Sequence, residues 1–192
     1  MPLHTLGERG KANRVGRAGV ARMAIAALGL CLLAACRSTD LPNQRLASNV
    51  DIERFMGSWY VHGYTPTFLD RDAFGAIESY ELRDDGKIQT TYRFRKGGPS
   101  GKEKVYRPVG WVHDTASNAE WRMRFFGMFT APYYVVYASD DYEYTIIGHP
   151  NKRLAWVMSR SPRIGEGQYG ILRDKLAALD YDLESFQRVS HD

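Results

Sequence analysis

From about residue 57 onwards, apolar and polar residues alternate in short segments that are rich in aromatic and β-branched side chains. Turn sequences such as Asp84-Asp85-Gly86 and Pro150-Asn151-Lys152 separate these segments. An alternation with a period of two, bounded by turn residues, predicts β-strands that are joined by hairpins. The predicted strands span residues 57–65, 76–83, 87–95, 103–113, 120–126, 133–139, 144–149 and 154–160.

The number of strands and their short connections predict the fold class. Eight antiparallel strands with tight turns favour an all-β fold, an eight-stranded antiparallel up-and-down barrel. A β-sandwich is the alternative that fits the same strand pattern. A parallel α/β sheet is excluded, because parallel neighbours need a crossover connection and no helical segment lies between the strands.

One amphipathic segment, residues 166–179, follows the last predicted strand. Tyr169, Leu172, Leu176 and Leu179 recur in it at spacings of three and four, with charged residues between them. This is the pattern of a helix with one apolar face. We therefore expect one C-terminal α-helix that packs on the outside of the barrel, and after it a short final strand or a packed tail.

The N-terminal segment has the order of regions of an export signal. Basic residues end at Arg22, and an apolar run covers residues 23–33. The run is too short to span a bilayer as a helix, which takes about 20 residues, and it matches the hydrophobic region of a secretory signal. We therefore expect residues 1–35 to be a signal peptide.

The sequence Leu33-Ala34-Ala35-Cys36 closes this segment. Small residues before a cysteine resemble a bacterial lipobox, which implies lipid attachment at Cys36 and a membrane as partner through the lipid anchor. An ordinary signal peptide with a coincidental cysteine is the alternative. The predicted domain organisation is a lipoprotein signal peptide, a lipidated tether over residues 36–50, and a barrel domain with its helix over residues 51–192.

The net charge changes its meaning once the signal is set aside. The whole chain carries a formal charge of +4, which by itself points to an acidic partner such as nucleic acid. Residues 1–35 hold five of the 26 basic and one of the 22 acidic residues, so the remainder is neutral. We therefore predict no nucleic-acid partner.

The remaining residues form no catalytic or metal-binding motif. Beyond Cys36 the sequence has no cysteine, so neither a cysteine nucleophile nor a cysteine metal site is available. The four histidines after the signal are scattered without metal-ligand spacing. Gly165-Glu-Gly167-Gln-Tyr-Gly170 lacks the strand–helix–strand unit of a dinucleotide site. We predict no metal, no cofactor and no catalytic residue.

Several short motifs, in order along the predicted strands, resemble those of lipocalins. Gly57-Ser-Trp59 on the first strand resembles the G-x-W signature, and Trp156-Val-Met-Ser-Arg160 on the last strand resembles the C-terminal signature with its arginine. Ser139-Asp140-Asp141-Tyr142 stands where the middle motif falls, in altered form. Residues 82–86 and 125–129 resemble the bacterial branch in particular, whose members are outer-membrane lipoproteins.

This resemblance implies a barrel that is closed at one end and open at the other. Trp59 would lie across the closed end with the guanidinium of Arg160 stacked over it. Gly57 would let the backbone pass closely. Ligand would enter at the opposite end, where residues 66–74 and 127–132 are the candidate mouth.

Function is expected in the barrel interior, where alternation assigns faces once Trp59 is taken to point inward, as Val61 and Gly63 then should. An aromatic and methionine-rich lining would take an acyl chain by desolvation, and fatty acids or lysophospholipids are the expected ligands. Glu78 either faces the cavity, where it pairs with Arg160 or a ligand head group, or points into solvent. The candidate ligand-binding residues are Glu78, Tyr80, Tyr92, Trp111, Trp121, Met123, Phe125, Tyr134, Val136, Trp156 and Met158.

The preferred function is therefore a lipid-anchored protein that binds and carries or stores small hydrophobic ligands, without catalysis. Its expected location is the outer membrane, facing the periplasm, because Arg37 rather than an aspartate follows the lipidated position. The resemblance also allows a homodimer. Two alternatives fit the same barrel: an enzyme that acts on a bound lipid, and an envelope structural or interaction module whose barrel is filled.

Overall fold

The computed structural model describes residues 45–191. The predicted signal peptide, Cys36 and most of the predicted tether lie outside these residues. Within the described part of the chain, no helix has both the length and the apolar character that crossing a membrane requires.

Ten strands and two helices are present within residues 45–191. The helices are α1 (Ile52–Phe55), which precedes the first strand, and α2 (Glu166–Ala178) near the C-terminus. The strands are β1 (Gly57–Tyr64), β2 (Ala73–Leu82), β3 (Ile88–Lys96), β4 (Glu103–Tyr106), β5 (Val109–Asp114), β6 (Glu120–Phe125), β7 (Phe129–Ala138), β8 (Tyr144–Gly148), β9 (Ala155–Ser159) and β10 (Gln187–Arg188).

Antiparallel pairing closes the sheet into a barrel. Neighbouring strands pair in chain order, β4 and β5 both pair with β3, and β9 pairs back with β1. β4 and β5 together form the fourth wall strand, so the barrel has eight strands. The predicted eight-stranded barrel is confirmed, and the sandwich is excluded because the pairing of β9 with β1 joins the edges into one closed sheet.

Pro108 explains why the predicted strand over residues 103–113 is divided in two. Proline has no N–H to donate, and strand assignments end on either side of it. Its carbonyl still accepts a hydrogen bond from the amide of Thr90, at 3.0 Å. Because the register against β3 is the same in β4 and in β5, the wall continues past the proline.

A β-bulge in β1 reverses the alternation near its end. Val61 pairs with Met158 and Gly63 with Val157, so one extra residue lies between them. The prediction that Gly63 faces inward is therefore wrong. A Cβ atom at Gly63 would lie 2.7 Å from the ring of Phe186, outside the barrel, whereas Tyr64 is buried in the inner cluster.

Two apolar clusters stabilise the fold. The inner cluster lies inside the barrel and extends from Val50 and Phe55 at one end to Phe94 towards the other. The outer cluster lies between α2 and the outer faces of β7, β8 and β9, and Leu172 and Leu176 are its fully buried helix residues. This confirms the predicted helix and its position. The predicted tail strand is β10, which pairs with the end of β1.

Gly148 at the end of β8 offers a test of the outer cluster. A Cβ atom there would overlap the hydroxyl of Tyr181, which is buried after α2. We expect Gly148→Ala to lower the free energy of unfolding by about 2 kcal/mol, because overpacked sites force neighbours to move. Chemical denaturation measures this loss.

Gly167→Ala is the matched control for that variant. Position 167 lies in the first turn of α2 with no atom near enough to meet a new Cβ, so alanine is expected to be neutral or stabilising by about 0.5–1 kcal/mol. Equal stability of Gly148→Ala and the wild type would show that Tyr181 does not hold the position described.

Candidate functional site

Trp59, near the start of β1, closes one end of the barrel. Its side chain is fully buried, and its indole N–H donates a hydrogen bond to the carbonyl of Phe55, at 2.9 Å. The guanidinium carbon of Arg160 lies 3.7 Å from the centroid of the indole ring. This is the cation–π contact that the lipocalin resemblance implies.

Arg160 also ties the closed end together by hydrogen bonds. Its Nη2 donates to the carbonyls of Arg54 and Phe55 at the end of α1, at 2.7 and 3.2 Å, and its Nη1 donates to the carbonyl of Ser58, at 3.0 Å. Gly57 has a φ of +95°, and a Cβ atom there would lie 3.3 Å from Nη1 of Arg160. Gly57 therefore allows the backbone conformation at the start of β1 and leaves room for the guanidinium of Arg160.

Glu78 lies inside the barrel, halfway along β2, with 7% of its surface exposed. Its Oε2 accepts a hydrogen bond from the hydroxyl of Tyr133 on β7, at 3.2 Å. The hydroxyls of Tyr80 and Tyr133 also bond to each other. Since β2 and β7 stand on opposite sides of the barrel, these side chains meet across its interior. Of the two positions predicted for Glu78, the inward one is confirmed, and its partner is Tyr133 rather than Arg160.

Burial controls the charge of Glu78. Desolvation raises the pKa of its carboxyl to about 7, because a low-polarity interior disfavours the charged form. Hydrogen bonds from Tyr80 and Tyr133 lower this pKa by a smaller amount, and the charge of Asp70 raises it further. The carboxyl therefore changes its protonation near neutral pH.

The loop between β1 and β2, residues 65–72, folds over the open end, and we call it the lid loop. Asp70 in this loop is 3% exposed. Its Oδ1 accepts hydrogen bonds from the backbone N–H and the hydroxyl of Thr67, both at 2.7 Å. Its Oδ2 accepts one from the hydroxyl of Tyr92 on β3, at 3.2 Å. Burial raises the pKa of Asp70 as well.

Two further tyrosine hydroxyls hold the lid loop. Tyr64 donates to the carbonyl of Asp70 at 3.0 Å, and Tyr106 donates to the carbonyl of Leu69 at 3.3 Å. Three strands, β1, β3 and β4, thus each supply one hydroxyl to the same loop. These hydrogen bonds fix the loop over the barrel opening.

An apolar pocket of about 320 Å³ lies beside the lid loop, and we call it the mouth pocket. The predicted mouth segments do meet here, together with the end of β6. Phe68 in the lid loop is 85% exposed, and Phe129 at the start of β7 is 65% exposed. Aromatic residues exposed together in this way mark a surface that binds something apolar. The pocket is lined by Phe68, Leu69, Phe125, Phe126 and Phe129.

Most of the predicted ligand-binding residues do face the interior. Trp121 and Met123 on β6 are fully buried there, and Trp156 stacks with Tyr133 at a centroid distance of 6.3 Å. That these residues bind ligand stays a prediction. The inward-facing members of the predicted set are Glu78, Tyr80, Tyr92, Trp121, Met123, Phe125, Trp156 and Met158.

Trp111 is placed on the wrong face by the sequence prediction. It is only partly buried, and the guanidinium carbon of Arg124 lies 5.3 Å from its ring on the outer surface. Gly110 takes the inward position, where a Cβ atom would overlap the sulfur of Met123. Because Met123 fills the space that Gly110 leaves, the tryptophan points outward.

Tyr134 and Val136 also lie outside the barrel, contrary to the prediction. Both belong to the outer cluster under α2. Their neighbours Tyr133 and Val135 face inward instead. The physical reason is that β7 is covered on both faces, by the interior and by the helix, so its apolar residues form a continuous run without alternation.

Sequence reasoning missed several polar residues that the fold brings together. Asp70 lies in a loop, where no periodicity assigns a direction, and Tyr133 was passed over for its neighbour. Thr90, fully buried on β3, has a hydroxyl without a hydrogen-bond partner among the described residues. We call the six interior polar side chains the polar belt: Asp70, Glu78, Tyr80, Thr90, Tyr92 and Tyr133.

An antiparallel barrel with a sealed base, a buried interior and an apolar mouth defines the class of β-barrel proteins that bind small hydrophobic ligands. The chain belongs to the lipocalin family, since the family model described as a lipocalin-like domain matches residues 50–191. It is 28% identical over 138 residues to the outer membrane lipoprotein Blc of Citrobacter freundii, an overlap of 70% of this chain and 76% of that protein.

Other relatives support the same assignment. The chain is 26% identical over 144 residues to the outer membrane lipoprotein Blc of Escherichia coli strain K12, covering 73% of this chain and 80% of that protein. It is 23% identical over 160 residues to temperature-induced lipocalin-1 of Arabidopsis thaliana, covering 79% of this chain and 84% of that protein. The chain is thus similar to bacterial lipocalins.

Solved structures show the fold independently of close sequence similarity. Insecticyanin from the tobacco hornworm Manduca sexta superposes with a TM-score of 0.61 at 18% identity, covering 79% of this chain and 86% of that one. Lobster apocrustacyanin A1 superposes with a TM-score of 0.58 at 12% identity, covering 74% of this chain and 80% of that one. At these identities the comparison supports the barrel architecture alone.

Proposed function

We propose that this protein reversibly binds small amphiphiles and carries or stores them. The observation that supports the proposal is the contrast between the two ends of the barrel. Trp59 and Arg160 seal the base, whereas Phe68 and Phe129 expose apolar surface around the mouth pocket. An acyl chain that covers this surface gains about 0.8 kcal/mol for each CH₂ group removed from water.

Fatty acids and lysophospholipids are the proposed ligands, and the binding involves no covalent chemistry. The proposed location is the outer membrane, facing the periplasm, with Cys36 as the lipid attachment site. The sequence Leu33-Ala34-Ala35-Cys36 and the names of the bacterial relatives support this location. A lipid-anchored carrier at a membrane surface would take its ligands from that membrane or from the space beside it.

The mouth pocket gives the most direct test. The double variant Phe68→Ser, Phe129→Ser removes two exposed rings without opening the core, so the protein should fold normally. We expect its affinity for a fluorescent fatty acid to fall about tenfold, which is the effect of losing about 1.4 kcal/mol of apolar contact. Fluorescence titration of the purified protein measures this change, and thermal unfolding checks the fold.

Ile171→Ser is the matched control, because Ile171 on α2 is also an exposed apolar residue, 53% exposed, but lies on the helix. Its affinity should equal that of the wild type. Native mass spectrometry of protein extracted without detergent should find a co-purified lipid. A protein that carries no lipid after such extraction and does not bind fluorescent fatty acids would contradict the proposal and favour the filled-barrel alternative.

A further inference from the structure

The polar belt contains two buried carboxyl groups from separate parts of the chain. Glu78 comes from the wall of the barrel and Asp70 from the lid loop, and 7% and 3% of their surfaces are exposed. Within residues 45–191, neither forms a salt bridge with a lysine, arginine or histidine. Buried carboxylates are normally paired with a cation or bind one, because desolvating a negative charge alone is costly.

The hydrogen-bond partners present do not replace such a cation. Tyr133 donates to Glu78, and Tyr92 and Thr67 donate to Asp70, all of them neutral groups. When ionised, each carboxylate thus has no compensating charge among the described residues, and the charge of Asp70 adds to the burial that raises the pKa of Glu78. A positive group between the wall and the lid loop would interact favourably with both.

Thr90 provides a second, independent indication of a polar ligand group. Its hydroxyl is fully buried and has no hydrogen-bond partner among the described residues. Thr90 is the cross-strand partner of Tyr80 and shares the inward face of β3 with Tyr92. A buried hydroxyl without a partner costs stability unless something bonds to it. Because a hydroxyl both donates and accepts, its position inside the polar belt points to a polar ligand group, and the carboxyl groups indicate the charge of that group.

The aromatic walls of the same region favour a cation over an anion. Rings of Tyr80, Tyr133, Trp121 and Trp156 contact one another, with neighbouring centroids 5.7–6.4 Å apart, and the two tyrosines of this group are hydrogen-bond partners of Glu78. Ring faces attract ammonium groups. No lysine or arginine of residues 45–191 is buried, so a ligand carboxylate would find no charged partner in the interior.

We propose that the polar belt recognises the ammonium group of an amphiphilic amine, with Glu78 and Asp70 as its acceptors and the apolar tail in the mouth pocket. The inference rests on the proposed function, since it names the class of ligand that the same barrel prefers. The lid loop links the two parts of this site: Leu69 lines the mouth pocket, and the next residue, Asp70, belongs to the polar belt, with Glu78 further inside on β2. The ligand therefore enters head first, with its tail towards the opening.

Three probes with the same chain and different heads test this class: dodecylamine, dodecanol and dodecanoate, titrated calorimetrically into the wild-type protein at neutral pH. We expect dodecylamine to bind at least about tenfold more tightly than dodecanoate, with dodecanol between them. Glu78→Gln should reduce the affinity for dodecylamine about tenfold and that for dodecanol less than about twofold.

Glu81→Gln is the matched control, because Glu81 is an exposed carboxylate on the same strand, and this variant should keep the wild-type order of affinities. Asp70→Asn provides a second readout if Glu78→Gln does not fold, and it should reduce the preference in the same direction. Dodecanoate binding as tightly as dodecylamine, or a preference that survives in both folded variants, would overturn the inference while leaving the proposed function intact. Failure of all three probes to bind would contradict the proposed function itself.

Discussion

Trp59→Ala should lower the free energy of unfolding by about 4 kcal/mol, because it empties the volume of a large ring at a fully buried site. The ring contacts the ring of Phe55 at a centroid distance of 5.1 Å and stacks against the guanidinium of Arg160. Its loss leaves the arginine without its cation–π partner. Urea denaturation followed by circular dichroism measures the change in stability.

Trp111→Ala is the control that separates burial from residue type. Trp111 lies on the outer face against Arg124, so its removal should cost less than about 1 kcal/mol. Arg160→Lys keeps the charge at the base but not the planar guanidinium that reaches four carbonyls and the ring, so it should still destabilise the protein, by about 2 kcal/mol. Similar losses for Trp59→Ala and Trp111→Ala would contradict the closed base described above.

Glu78→Gln should make the protein more stable than the wild type at alkaline pH. The folded-state pKa of Glu78 is raised from 4.5 to about 7. A carboxyl with a raised pKa contributes stability that is fully present below pH 4.5 and is lost as the pH rises through 7, since the folded state holds a proton that the unfolded state releases. Glutamine cannot ionise, so this loss does not occur in the variant.

The size of the effect follows from the shift. Between pH 4.5 and about pH 8, the difference in unfolding free energy between Glu78→Gln and the wild type should change by about 3 kcal/mol in favour of the variant. The charged and titratable groups that face Glu78 are Asp70 from the lid loop and the tyrosines of the polar belt. Removing the charge of Glu78 also removes its repulsion of the Asp70 carboxylate, which further stabilises the variant relative to the wild type at high pH.

The contribution of His62 to the pH dependence of stability must be distinguished from that of Glu78, because burial lowers the pKa of His62 to about 4. A histidine with a lowered pKa contributes stability that is present above pH 6.5 and is lost as the pH falls through 4, the opposite slope to that of Glu78. His62 is the same in both proteins, so comparing the variant with the wild type cancels its contribution. Glu81→Gln should show no such pH dependence, and a constant difference for Glu78→Gln would mean that Glu78 is solvated.

Alternation predicted the barrel well because most strands have one face to the interior and one to solvent. β6 is a clear case: Trp121 and Met123 face inward, Arg124 is exposed, and the sequence contains that order directly. The closure by Trp59 and Arg160 followed from the family resemblance of short motifs. Neither needed knowledge of contacts between distant residues.

The errors arise where a face is decided by something outside the strand itself. β7 is apolar on both faces because α2 covers it, and alternation therefore could not choose between Tyr133 and Tyr134. On β5, the size of Met123 on the neighbouring strand directs Trp111 outward, and on β1 a single extra residue turns Gly63 away from the interior. These effects depend on tertiary packing that no local pattern records.

The polar belt was the least predictable part of the site. Glu78 was found as a candidate because it shares a face of β2 with Tyr80, but the sequence could not decide whether that face points inward. Asp70 belongs to a loop that has no period, and it is buried only because hydroxyls from other strands bond to the loop. A sequence can indicate which residues have polar or titratable side chains, whereas contacts between them form only when the barrel closes.

The lid loop, finally, has a kinetic consequence. Its three tyrosine hydrogen bonds are each worth at least about 1 kcal/mol, so the loop would be released in less than about 1% of molecules at any moment. Ligand entry and exit would then both wait for the same rare opening. A gate that closes equally over the empty and the occupied barrel slows capture and release by the same factor and leaves the equilibrium affinity unchanged. This suits a protein that retains its ligand for long periods rather than one that exchanges it rapidly.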